Sequence, residues 1–86
     1  MEIKKELIKR NVAGDTILVP VGKTVYDSNG LFILNGMASF LWDLLPQAQT
    51  EEELLQAVLE HYEVTREVAA RDIAAFLEKL RQMKIL

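Results

Sequence analysis

The sequence predicts an α+β fold, a small N-terminal antiparallel sheet followed by three helices. Three observations carry this. Three of the four glycines (Gly14, Gly22, Gly30) and one of the two prolines fall before residue 35, among short runs rich in β-branched residues. Beyond residue 35 the apolar side chains recur at helical spacing. Each of those later segments opens on a good N-capping residue (Asn35, Thr50, Thr65). With 86 residues there is room for one domain, expected over residues 1–86.

The elements follow in order. Residues 3–11 alternate loosely, with Ile3, Leu7 and Lys9 sharing a face. Ala13-Gly14-Asp15 is a turn, and residues 16–21 form the clearest strand. Pro20 withholds a donor there, so the strand is unpaired on one side or bulged at that point. Residues 27–30 read as a tight turn, Asn29-Gly30 supplying the positive φ values of a type I′ hairpin. Leu31 to Leu34 then make a third strand, apolar on both faces.

A first helix runs from its cap Asn35 to about Leu45, where Pro46 stops it. Only Ser39 and Asp43 are polar within its apolar run, which predicts a largely buried helix. Thr50 and Glu53 form a capping box, and three acids in that first turn complement the helix dipole. Leu54, Leu55, Val58, Leu59 and Tyr62 make the stripe of the second helix. Thr65 caps a longer third helix, with Val64 and Ala69 placed as a hydrophobic staple. Its core stripe is Ala69, Ile73, Phe76, Leu77 and Leu80; Ile85-Leu86 is expected to pack back onto the body. Short strands followed by three helices, two of them joined by a tight turn, predict a winged-helix-like arrangement.

The residue inventory excludes much chemistry. Without cysteine there is no disulfide, thiolate metal site, iron–sulfur cluster or cysteine nucleophile. His61 is the only histidine; Glu60 and Glu63 are near it in sequence, but no Ser-His-Asp arrangement of the kind a general base needs is visible. The run Glu51-Glu52-Glu53 reads as capping and not as a metal site, since adjacent helical positions point apart. No glycine pattern makes a phosphate cradle. The expectation is therefore no enzyme, no metal and no cofactor. No apolar run is long enough to span a membrane and no signal peptide is evident, which makes the cytosol the default compartment.

Net charge is −3: residues 1–30 carry five basic and four acidic side chains, residues 31–86 five basic and nine acidic. A winged helix raises the question of DNA, but neither half has the basic surplus that phosphate neutralisation demands. At the start of the third helix Glu67 and Asp72 offset Arg66 and Arg71. The third strand is more informative. If it is central, its two-sided apolarity is core; if it lies at an edge, it offers unpaired N–H and C=O groups beside apolar side chains, a template for another strand. Periodicity does not choose between the two.

Gly30-Leu-Phe-Ile-Leu-Asn35 followed by Ala38-Ser-Phe-Leu-Trp-Asp-Leu-Leu45 resembles the PqqD-like family. Gly14-Asp-Thr-Ile-Leu-Val-Pro-Val21, Thr50-x-x-Glu-Leu54, Leu59-x-x-Tyr-x-Val64 and Asp72-x-x-x-Phe-Leu-x-x-Leu80 extend the likeness over essentially the whole chain. One departure is Gly36-Met37, where relatives commonly place an acidic and a small residue. The resemblance implies a non-catalytic recognition element of ribosomally made, post-translationally modified peptide pathways. Such a domain binds the leader segment of a precursor peptide and presents it to a modifying enzyme, often a radical-SAM maturase. The leader would add as a strand to Leu31, Phe32, Ile33 and Leu34 and pack against the third helix. On that helix Val68, Asp72, Ala75 and Lys79 share one flank, with Phe76 at its border as either core or groove. Ala75 would leave room for an apolar leader side chain, while Asp72 and Lys79 set orientation. The implied partners are a precursor peptide and a modifying enzyme, with no nucleic acid and no membrane. Pairing of two copies through the exposed strand is a further reading.

Overall fold

A computed structural model describes residues 1–23 and 32–86. Strands β1 (Leu7–Val12) and β2 (Asp15–Pro20) form an antiparallel hairpin in which Val12 faces Asp15 and Leu7 faces Pro20. The turn between them is Ala13-Gly14, with φ of 51° and 86°. Positive φ at both central residues matches the right-handed twist of the flanking strands, and glycine takes such a value without a Cβ penalty. β1 thus starts and ends later than the expected 3–11. The turn itself is only two residues, so pairing runs up to Val12, while residues 1–6 leave the sheet: the Lys4 amide donates to the Ile85 carbonyl at 2.7 Å. The expected turn at residues 27–30 lies outside the described residues.

Strand β3 (Phe32–Leu34) pairs antiparallel with β2, giving the order β1-β2-β3. Leu18 faces Phe32 and both are buried; Ile17 faces Ile33 on the opposite side of the sheet, where Ile33 is 66 % exposed. The period of two thus divides the sheet into a core face and an outer face that also carries Ile8 and Val12. Lys9 sits in the same row as Leu18 but sends its ammonium out to Ser39 Oγ (3.0 Å) and Asp43 Oδ2 (2.6 Å), keeping its charge wet while its stem covers the core.

Three helices cover the core face: α1 (Gly36–Leu44), α2 (Glu51–His61) and α3 (Arg66–Gln82). Each cap residue accepts from the amide three positions on: Asn35 from Ala38 at 2.8 Å, Thr50 from Glu53 at 3.2 Å, Thr65 from Val68 at 3.2 Å. The Glu53 carboxylate completes its box one residue further back than expected, accepting from the Gln49 amide at 2.7 Å. Helix α1 is less buried than the largely buried helix expected. Leu41 and Trp42 are buried, whereas Met37, Ala38, Phe40 and Leu44 are only partly so. Phe40 finds partial cover by stacking on His61 (ring centroids 4.6 Å apart) and meeting Tyr62 edge-on.

Leu41, Leu45, Leu54, Val58, Leu77 and Leu80 close the centre between the sheet and the helices. At the end of α3 the chain turns back through Lys84 at φ 60°, with Lys84 N–H donating to Arg81 and Ile85 N–H to Leu80 at 2.8 Å. This is the paired bonding of a Schellman stop, and it drives Ile85 into the core.

Candidate functional site

β3 lies at the edge of the sheet: one side pairs with β2, and among the described residues no strand occupies the other. Its alternation sends Phe32 and Leu34 inward and leaves the Ile33 side chain on the outer face. The tertiary structure thereby chooses edge over centre, the alternative that periodicity left open.

Beside that edge runs a groove of about 310 Å³ whose walls come from three elements. β3 contributes Phe32 and Ile33, α3 contributes Asp72, Ala75, Phe76 and Lys79, and the start of α1 closes the end with Asn35, Met37, Ala38 and Leu41. Phe32 and Phe76 meet edge to face with centroids 6.4 Å apart and form the floor. Phe76 is 8 % exposed, so its ring serves core and groove together. The Lys79 ammonium sits 5.0 Å from the centre of the Phe32 ring, a cation held over an aromatic face. Ala75, one turn before Lys79 and exposed, leaves the middle of the α3 wall low.

Of the residues singled out from sequence, Phe32, Ile33, Asp72, Ala75, Phe76 and Lys79 converge on this groove. Leu34 points into the core, and Val68, half-buried one turn before Asp72, lies off the groove. Leu31 falls outside the described residues. Sequence reasoning missed Asn35, Met37, Ala38 and Leu41. The signal was present: a capped helix that starts directly after an edge strand must place its first turn at the end of that edge.

Chemistry elsewhere is sparse. Among the described residues no group of three or more His, Cys, Asp or Glu side chains is placed to hold a metal ion. His61 is exposed and engaged in the ring stack with Phe40 and Tyr62. On the outer side of α3, Arg66 bonds Glu52 at 2.8 Å and Arg81 lies 3.7 Å from Glu51. The Arg66 guanidinium, aided by the Gln56 amide, holds the Glu52 carboxyl below the usual carboxylate range. These arginines therefore face carboxylates and do not form a basic patch. No described helix is long and apolar enough to cross a membrane.

Comparison with known proteins agrees with this fold. The family model described as coenzyme PQQ synthesis protein D (PqqD) matches residues 16–86. Among solved structures, TbiB1 in complex with the TbiA(beta) leader peptide superposes with a TM-score of 0.75 at 26 % identity, covering 100 % of this chain and 94 % of that one. Lasso peptide synthetase B1 complexed with the leader peptide gives a TM-score of 0.71 at 23 % identity, over 94 % of this chain and 89 % of that one, a likeness of fold. No curated protein sequence matches.

Proposed function

The chain belongs to the coenzyme PQQ synthesis protein D family, and from that premise we propose that it binds the leader segment of a ribosomally made precursor peptide and presents it to a modifying enzyme. The observation that carries this is the open edge of β3 lying directly against an apolar groove. An added strand bonds its main chain to β3 with little dependence on sequence, while its alternate side chains enter the groove and supply specificity. The TbiB1 structure, similar over the whole of this chain and 94 % of its own, contains a leader peptide and supports the same role here.

In this reading residues 1–86 act as one recognition unit. Phe32, Ile33 and Leu34 form the docking strand, and Asp72, Ala75, Phe76 and Lys79 the opposite wall. The domain supplies no reacting group; a partner enzyme, such as a radical-SAM maturase, performs the modification. A leader that is disordered when free loses about 2–5 kcal/mol on ordering, so micromolar to nanomolar affinity is expected.

The test is a titration of the ¹⁵N-labelled chain with synthetic peptides covering the N-terminal halves of short open reading frames that neighbour its gene. Shifts confined to β3, α3 and the start of α1 are the expected result. Shifts at the start of α3 on adding duplex DNA, with steep salt dependence and no response to any peptide, would overturn the proposal.

A further inference from the structure

Resting on the strand-addition reading, two charges that the fold leaves uncommitted suggest what the groove selects. Asp72 and Lys79 both line it, and among the described residues neither has an ion-pair or hydrogen-bonded side-chain partner. The outer side of the same helix behaves differently, because Arg66 and Arg81 each face a glutamate of α2. Lys79 is held in place by the Phe32 ring instead of by an anion. A cation over a ring at the water interface keeps its attraction for a carboxylate.

The two charges stand two helical turns apart on the α3 wall of the groove. Lys79 stands over Phe32, where the described part of β3 begins. Asp72 is seven residues back along α3, about 10.5 Å at 1.5 Å per residue, and lines the same groove as the first turn of α1. Between them lies Ala75, whose small side chain opens space above the Phe32–Phe76 floor. Along an added strand, inward-facing positions recur every ~6.7 Å, so three successive ones span ~13 Å. The two spans agree to within about 3 Å.

Chain direction follows from the sheet. Both observed ladders are antiparallel, and continuing that pattern makes an added strand run opposite to β3. It enters toward Asn35 and leaves beside Phe32 and Lys79, and Asp72, two turns from Lys79, is assigned to its entering half.

We propose that the groove selects a leader segment of the pattern basic-x-apolar-x-acidic, read from N- to C-terminus. The basic side chain meets Asp72, the apolar one sits over Ala75, and the acidic one meets Lys79. A reversed segment places like charges together at both ends. Exposed pairs are each worth a few-fold, so the two orders should differ by about tenfold in Kd. The difference should shrink to about twofold at 1 M salt, where the Debye length falls to ~3 Å.

The experiment is selection of a displayed library of random twelve-residue peptides on the intact chain, followed by calorimetry with the enriched sequence and its charge-reversed counterpart. The expected result is enrichment of basic-x-apolar-x-acidic, a tenfold advantage over the reversed peptide, and inversion of that preference by the double substitution Asp72→Lys, Lys79→Glu. Should that double variant fail to fold, Asp72→Asn with Lys79→Gln is expected to bind both peptides equally. Enrichment of apolar strand-like peptides without charge order, or a charge order indifferent to the substitutions, overturns this inference and leaves strand addition standing. Absence of any enrichment overturns both.

Discussion

Replacing Ala75 with leucine separates the groove from the fold. Ala75 is exposed on α3, so the substitution meets solvent in the free protein; leucine is also a good helix former. Stability should therefore change by no more than about 0.5 kcal/mol. The bound state is different. The added branched carbons occupy the space between α3 and β3 in a groove of about 310 Å³ that an apolar leader side chain would otherwise fill. Full burial of such a side chain is worth about 1.5–3 kcal/mol, which corresponds to a roughly 10- to 150-fold weaker Kd once its place is taken. The assay is calorimetry with the tightest peptide selected on the unaltered chain, alongside thermal unfolding by circular dichroism. Unchanged affinity in the folded Ala75→Leu protein would show that no leader side chain passes over this part of α3. Loss of affinity together with loss of fold would place Ala75 in the core instead.

Two further predictions concern local physics. Lys84 occupies the left-handed region at φ 60°, which costs an L-residue about 1–2 kcal/mol, partly offset by the extra flexibility glycine brings to the unfolded chain. Lys84→Gly should accordingly stabilise by about 0.5–1 kcal/mol and raise Tm by roughly 2–8 °C; a lower Tm than that of Lys84→Ala would contradict the Schellman assignment. Glu52 has its pKa lowered in the folded state by Arg66 first and Gln56 second. A lowered pKa means that its contribution to stability is complete above the ordinary value of 4.5 and is lost as pH falls through the folded value. Arg66→Ala should move the Glu52 titration, followed by carboxyl carbon shifts, back up toward 4.5, and an unmoved midpoint would remove Arg66 as the cause.

Much of this architecture is legible in the sequence because it is written in local chemistry. The caps at Asn35, Thr50 and Thr65 need only an oxygen three residues before an amide, and all three form those bonds. The stripe of α3 needs only the helical period, and Ala69, Ile73, Phe76, Leu77 and Leu80 are its buried residues. The edge position of β3 is another matter. Phe32, Ile33 and Leu34 are uniformly apolar, so no alternation distinguishes a strand covered on both sides from one open on the outer face, and only the strand order decides. The same uniformity misled the reading of α1. Its apolar surround suggested burial, whereas Met37 and Ala38 line the open groove and Phe40 shares an exposed stack with His61. Apolar residues that serve a groove and those that serve a core look alike in a sequence; the difference lies in what the rest of the chain leaves uncovered.

The walls of the groove come from residues 32–41 and 72–79 and meet through Phe32 against Phe76. Neither wall exists as a surface until the whole chain has folded, so the unfolded chain has essentially no affinity for a strand that depends on both. By mass action, occupancy then becomes a stabilising ligand effect: at a leader concentration 100 times Kd the folded state gains about 2.7 kcal/mol. For a domain of this size that is a rise of roughly 11–22 °C in the unfolding midpoint. On the proposed function, a cell that makes leader peptide protects the domain, and one that makes none leaves it more open to unfolding and proteolysis.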